Sequence, residues 1–461
     1  MEKELPIKTY RTAGRSKALL LLGLSLGYFM VLLDTTVVSV ALPAIHADLG
    51  GGLDGLQWVV NAYTIVFAGL LLSMGAFADK LGAKRLYIGG LIVFLAASAL
   101  TAAAPSLGAL IALRAMLGVG GAALMPSSLT LLAHAYPEPA ERARALGVWA
   151  AVTGAAMAAG PVVGGMLVDS LGWRSIFLLQ VPLAIVSMIM TSLLVDETSR
   201  KPHQSLDPVG QITAVAAIAS LSFALMEGEP YGWHSPVIVA AFGTALLCTV
   251  VFLIAQAKGK APLLPLLLFK DATVSAGMMA GMAINIGLSG ILFVLPLYLQ
   301  QIGGLSAHVT GLALLPMTIP LAFNPLVTGR IVGRIGPRIP MTIGFALGGL
   351  GTLLQVWTRP DTGYTFTLTG LLLIGFGVSY TIPSLMAAVM SSVPKDQTGA
   401  ASGALNSIRQ LGATVGVALF GSMINGSPSF MDGMQLSLIV TAVILGGGAC
   451  LSFGLIGRTK R

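Results

Sequence analysis

Charge is what this sequence has least of. Asp, Glu, Lys and Arg make up 10% of its 461 residues, against 55% hydrophobic, whereas soluble domains carry about 25% charged residues. So few charges cannot cover a soluble protein of this length. Most soluble enzymes, nucleic-acid binders and disordered chains are thereby excluded. Cysteine is almost missing. Cys248 and Cys450 both sit in apolar runs, too few for a disulfide framework or a thiolate metal cluster, and read as buried packing residues. None of the five histidines stands at ligand spacing from another or from a cysteine. His46, His203, His234 and His308 fall in expected loops or span ends and read as solvated. The chain has no G-x-x-x-x-G-K-S/T loop to cradle phosphates, so ATP is not the expected energy source. No cofactor or metal is expected.

What is abundant is long apolar sequence. A bilayer-crossing helix needs about 20 mostly apolar residues. Fourteen stretches qualify: 18–42, 56–78, 86–104, 108–131, 144–168, 174–195, 209–227, 236–256, 273–300, 306–329, 339–357, 365–390, 399–424 and 434–456. Breakers and polar residues separate them, among them Gly50-Gly51-Gly52, Pro137-Glu138-Pro139, Lys201-Pro202-His203, Pro262 with Pro265, and Ser427-Pro428. The basic first 17 residues followed by an apolar run resemble a signal peptide. The run is too long for that and many spans follow, so a retained first helix is expected.

Lysine and arginine set the orientation. Of the 26, 22 fall in loops on the amino-terminal side. The opposite loops hold only Arg359, with Arg174 at a span edge, while Arg114 and Arg409 fall inside spans. Both termini are therefore expected in the cytoplasm. The net charge of +8 is thinly spread over eight segments, forms no basic patch, and does not indicate a nucleic-acid partner.

The chain carries an internal echo. Gly75, Lys80, Gly82 and Lys84 after the second span recur at an offset of 254 as Gly329, Arg334, Gly336 and Arg338 after the tenth. Glu141 before the fifth span recurs as Asp396 before the thirteenth. Both echoes pair span n with n+8. The arrangement predicted is an all-α membrane protein of two six-helix halves, 1–195 and 273–461, with two inserted helices over 209–256. Parallel repeats of this kind are a transporter architecture.

Several stretches carry a family likeness. They are Leu33-Asp34-Thr35-Thr36-Val37-Val38-Ser39-Val40-Ala41-Leu42-Pro43, the loop Gly75 to Arg85, Arg114 to Ala123 in the fourth span, and Gly154 to Gly165 around Gly160-Pro161 in the fifth. The stretches Trp173 to Pro182 and Gly403 to Gly412 join them. In that order the set resembles the major facilitator superfamily, and within it the fourteen-helix drug:proton antiporter branch, over essentially the whole chain. Ser39 and Gln180 stand where that branch usually has asparagine, and Leu117 where glutamine is common. The resemblance implies a multi-pass protein of a bacterial cytoplasmic membrane, working as a monomer. It would export small amphipathic or cationic compounds in exchange for protons.

Asp34 is the one carboxylate placed well inside a span. A bare charge there is costly, and such residues are usually functional and paired. Desolvation disfavours the charged form of a carboxylate, which suits a proton carrier. Counting about 1.5 Å per residue from the outer ends of their spans puts Arg114 at the depth of Asp34. The pair either couples protons or is a static packing ion pair. In the loop, Gly75 and Gly82 permit a tight turn. Asp79 beside Lys80, Lys84 and Arg85 can build a breakable charge network, either a latch between halves, as the resemblance implies, or a positive-inside turn. In the fifth span Gly154, Gly160, Gly164 and Gly165 permit close helix approach, and Pro161 removes a backbone hydrogen bond. The resemblance makes this the antiporter helix; ordinary small-residue packing is the alternative.

Polar, aromatic and methionine side chains inside spans are pocket candidates: Tyr28, Met30, Asn61, Tyr63, Asn285, Asn324, Tyr380, Asn406 and Arg409, with Trp58, Met278, Met282 and Tyr298 behind them. Aromatic faces attract organic cations. Trp58 is as readily an interfacial residue, and Gln300 and Gln301 read as capping the ninth span. No second intramembrane acid appears in the carboxy-terminal half, which favours monovalent or neutral amphipathic substrates, and Arg409 could favour an anionic group. Glu227 and Glu229 fall in an outer loop and could attract cations or form a solvated turn. A dedicated exporter or uptake carrier for one metabolite, amino acid or siderophore remains open on the same fold. A membrane-embedded enzyme or receptor is disfavoured by the lack of clustered intramembrane acids and histidines.

Overall fold

The computed structural model describes residues 14–200, 207–259, 262–359, 363–394 and 397–457, apart from the side chains at 14–16, 139, 143 and 153. The basic residues of 1–13, Lys201, Pro202, His203, Lys260, Lys395, Asp396, Arg458, Lys460 and Arg461 lie outside them, and with them the expected echo of Glu141. The described chain is helical, in the order α1 Gly14–Leu49, α2 Leu53–Leu81, α3 Ala83–Ala102, α4 Leu107–Ala135, α5 Pro139–Leu171, α6 Ser175–Leu178, α7 Gln180–Leu194, α8 Pro208–Tyr231 and α9 Pro236–Lys258. Then come α10 Ala272–Leu297, α11 Ala307–Ala313, α12 Leu315–Ile335, α13 Arg338–Gln355, α14 Tyr364–Ser391, α15 Thr398–Asn425 and α16 Phe430–Leu455.

Each expected span is helical. Among the described residues twelve helices, with α6 and α7 counted as one, are long and apolar enough to cross a membrane. The pair α11–α12, bent by 47° at its break, makes a thirteenth. The fourteenth expectation, 339–357, is α13, whose 18 residues carry Arg338, Gln355 and four glycines and fall short of the others in apolarity. The helices start where the sequence supplies caps: Ser106, Asp207, Ser235, Asp271 and Ser306 each accept a first-turn N–H, satisfying donors the helix leaves open. The echoed loops share one geometry. Gly82 ends α2 at φ +98° and Gly336 ends α12 at φ +80°. Each donates its N–H four residues back, to Ala78 and Val332, in a conformation only glycine adopts cheaply.

The packing repeats as well. Counting α6–α7 and α11–α12 each as one span, the first six spans pack first on fifth, second on fourth, third on fourth, and first and third on sixth. The last six spans repeat all five pairings. Gln300, just past α10, donates to the Val40 carbonyl near the end of α1 at 2.9 Å, so α1 and α10 run the same way. Thr273 at the start of α10 meets Leu455 at the end of α16. Both described ends of the chain thus lie on one side of the bundle, the N-side.

The two groups meet mainly through α5 against α11 and α12, and through α2 against α15. On α5, Cβ atoms at Gly160 and Gly164 would collide with Thr36 and Val37 of α1, and one at Gly165 with the Ala307 carbonyl of α11. A Cβ at Gly154 would lie 3.3 Å from Ala322 of α12. The helix runs unbroken through Pro161. Its glycines therefore serve two different neighbours at once.

The inserted helices behave unequally. α9 packs on α8, with Leu246 and Leu247 exposed, as suits a lipid-facing helix. α8 lies against both α2 and α15. Its last turn runs through Pro230 to Tyr231, so Glu227 and Glu229 are helical rather than in a loop. Glu227 accepts from the indole of Trp58 at 2.8 Å and Glu229 from that of Trp233 at 2.9 Å. Trp58 is thus committed to Glu227, while Glu229 stays exposed. Cys450 is exposed and Cys248 half-buried, both free, because they face outward on the peripheral helices α16 and α9. Neither is the buried packing thiol expected.

The α5 seam gives a paired prediction on one helix. Gly160→Ala must displace Thr36 and should cost about 1–3 kcal/mol, the usual range for overpacking. Gly147→Ala meets nothing within 4 Å and should be neutral or stabilising by up to about 1 kcal/mol. Thermal unfolding of the detergent-solubilised protein reads both; equal melting temperatures for the two variants would refute the tight seam.

Candidate functional site

Asp34 on α1 and Arg114 on α4 form an ion pair, with side chains 0% and 1% exposed. Equal depth from opposite helix ends is what brings them together. Three further groups hold the pair. Gln180, at the break between α6 and α7, donates from Nε2 to the second Asp34 oxygen at 2.9 Å. Arg114 Nε donates to the Val59 carbonyl of α2 at 2.9 Å. The Tyr63 ring lies 4.8 Å from the guanidinium carbon. Four spans therefore converge on one carboxylate and one guanidinium. Gln180 was legible only as a departure from a family pattern. Its contact depends on the short α6 turn, which sequence periodicity does not mark.

Arg114 borders a central cavity between the two groups of spans. Tyr28, Tyr63, Asn285, Asn406 and Arg409 line it, five of the nine expected pocket residues. Tyr28 is stacked on Trp149, ring centroids 4.9 Å apart. The other four lie elsewhere. Met30 is buried in the core. Asn61 ties α2 to the Thr414 carbonyl of α15 at 3.3 Å and to Met226 of α8. Asn324 donates to Ser379 at 2.8 Å beside a separate outward crevice between α12 and α14. Tyr380 does not line the cavity. The physical reason is helix rotation: these helices are apolar on all sides, so no stripe marks the face that turns inward. Met278, Met282 and Tyr298 are likewise off the cavity wall.

The cavity is shut on the side opposite the N-side. Gln57 of α2 donates to the carbonyls of Val417 and Ala418 on α15, both at 3.0 Å. Asp169 at the end of α5 accepts from the Ala307 and His308 N–H groups at 3.2 and 2.8 Å, capping α11, where negative charge is favoured. Gln300 reaches Val40 as described, so it bridges α10 to α1 rather than only ending its own span. Toward the N-side, Gly75 of α2 and Gly399 and Gly403 of α15 meet nothing within 4 Å. Nor do Gly147 of α5 and Gly329 and Gly333 of α12. Those glycine faces look onto open space, unlike the close contacts on the far side.

The loop from Gly75 to Arg85 is organised by Glu197, past α7. Its carboxylate accepts from the backbone N–H of Lys84 at 2.9 Å and of Arg85 at 3.2 Å. It pairs with the Arg85 side chain at 3.9 Å, and it fills the space a Cβ at Gly82 would take. Lys84 Nζ donates to the Ser192 carbonyl. In this conformation Lys84 and Arg85 turn to the end of the sixth span and the segment after it. Lys80 is half-buried in the last turn of α2.

Comparison with known proteins follows the geometry. The family model described as Major Facilitator Superfamily matches residues 24–417. The chain is 38% identical to the Methylenomycin A resistance protein of Bacillus subtilis (strain 168) over 423 residues, covering 91% of this chain and 90% of that one. It is 33% identical to the Multidrug resistance protein Stp of Mycobacterium tuberculosis (strain CDC 1551 / Oshkosh) over 410 residues, covering 89% and 76%. The crystal structure of the human organic anion transporter MFSD10 (TETRAN) superposes with a TM-score of 0.64 at 18% identity, over 95% of this chain and 99% of that one; this likeness bears on the fold alone.

The pair at the centre predicts a non-additive mutant cycle. Arg114→Met alone strands the Asp34 carboxylate and should destabilise by about 3–5 kcal/mol, as breaking a buried pair does. Adding Asp34→Asn should recover much of that. Additive losses in unfolding free energy across the cycle would show that the two side chains are not energetically coupled.

Proposed function

The chain belongs to the Major Facilitator Superfamily, and from that premise we propose that it is a proton-coupled antiporter exporting small amphipathic compounds by rocker-switch alternating access. The names of its relatives, resistance and multidrug resistance proteins, support efflux. The observation that carries the coupling is the sealed Asp34–Arg114–Gln180 cluster bordering the central cavity. The spans number fourteen, α13 included, as two six-helix halves with α8 and α9 inserted. The N-side, carrying most of the basic residues, is the cytoplasmic side of a bacterial plasma membrane.

On this reading the structure is the cytoplasm-facing state. Asp34 is ionised, held by Arg114 and Gln180, and substrate enters the cavity from the N-side. Opening the other side requires Gln57, Asp169 and Gln300 to release α15, α11 and α1. There Asp34 takes a proton from outside. That cancels its charge and frees Arg114, whose remaining acceptor is the Val59 carbonyl, so α1 is no longer pinned to α4 by charge. An unpaired buried guanidinium costs several kcal/mol. Driving forces are of similar size, about 2.3 kcal/mol per proton for 100 mV and about 1.4 kcal/mol per pH unit. Return to the cytoplasm-facing state releases the proton and restores the pair. The loop from Gly75 to Arg85, anchored on Glu197, moves with its own half.

Proteoliposomes with an imposed pH gradient test this, using amphipathic dyes of positive, zero and negative charge. The wild type should accumulate at least one dye in response to the gradient. Asp34→Asn should lose the gradient-driven part while retaining dye binding and downhill exchange. Full gradient-driven transport by Asp34→Asn would sink the assignment.

A further inference from the structure

Resting on the transporter reading above, we propose that the central cavity selects amphipathic molecules bearing a carboxylate or similar anionic group, and that Arg409 receives that group. The argument is a census of charge. Two cationic side chains, Arg114 and Arg409, line the cavity, and no acidic side chain does. Arg114 is neutralised by Asp34. Arg409 has no such partner. Its Nε and Nη1 point at the side-chain oxygens of Asn285 and Asn406, at 3.4 and 3.2 Å, both long contacts to neutral amides. Among the described residues its guanidinium enters no ion pair.

The cavity therefore holds one uncompensated positive charge while Asp34 is ionised. Protonating Asp34 makes the surroundings more positive, not less. Leu288, Leu292 and Phe293 wall the same space, so the charge sits among apolar groups, where a guanidinium without a counter-ion is costly. A carboxylate supplies the missing counter-ion and matches the planar fork of arginine. An organic cation instead adds a like charge close to Arg409. The apolar remainder of the ligand has the Tyr28 ring, backed by Trp149, to lie against. Arg409 belongs to α15 and Tyr28 to α1, so one bound molecule spans both groups of helices.

Binding to the purified full-length protein in nanodiscs tests this, by calorimetry at pH 7.5. The probes are 1-naphthaleneacetic acid, its methyl ester and 2-(1-naphthyl)ethylamine, with the same three head groups repeated on a pyrene body. The carboxylate should bind at least about tenfold more tightly than the ester, as expected when a buried charge gains its partner, with the amine weakest. Arg409→Gln should remove that preference, leaving ester affinity within about twofold, and Arg409→Lys should restore part of it. The inference is overturned if the ester or amine binds as well as the carboxylate, if no probe binds, or if Arg409→Gln weakens all three alike. The wild-type series decides even where a variant does not fold. The antiport reading fails separately: a carboxylate preference with unimpaired gradient-driven transport in Asp34→Asn would leave the substrate class standing and remove the coupling.

Discussion

A carboxylate and a guanidinium sealed from water at mid-bundle constrain everything around them. Loss of either charge leaves the other buried with only a neutral partner, Gln180 for Asp34 or the Val59 carbonyl for Arg114, which is costly. The pair therefore fixes α1 against α4. Through Val59 and Gln180 it also fixes α2 and the start of α7. The irregular turn between α6 and α7 is explained by the same demand, since it brings an amide to the free oxygen of Asp34. A change in the charge of one side chain is thus felt by four spans, which is the property a coupling site requires.

The seam between the two groups of helices is built on a different principle. There α5 dispenses with a side chain where Gly165 touches α11, while α2 and α15 are joined by single amides donating to carbonyls. Close backbone contact in lipid gains packing without large hydrophobic knobs, and a few exchangeable hydrogen bonds are cheap to break. All of the polar bridges described sit on one side of the cavity. The contrast between a strongly fixed centre and a lightly latched rim is what allows rigid groups to rock on each other. The inserted helix α8 complicates that picture, because it touches α2 and α15 together and places Met226 and Glu227 against Asn61 and Trp58. Whatever motion separates α2 from α15 must also move the end of α8.

Much of this was legible in order along the chain, because hydropathy and loop charge are local properties. The helices fall where apolar runs and breakers place them, Gly82 and Gly336 share the turn that their spacing implied, and Asp34 finds Arg114 because depth follows from counting residues. Span number was harder. α13 is helical where expected, but its glycines and polar ends keep it from standing out as a span, since its neighbours supply much of its environment.

What the sequence determined by itself is where the helices lie along the chain and the one pairing that depends only on depth. Tertiary structure alone decided rotation and partnership. It turned Asn285, Asn406 and Arg409 into the cavity, and Asn61 and Asn324 away from it. It brought Glu197 to the backbone of Lys84 and Arg85, and Gln180 to complete the charge cluster. The physical reason is that a helix surrounded by lipid and by other apolar helices carries no amphipathic stripe. The face it turns inward is settled by packing against neighbours far away in the chain.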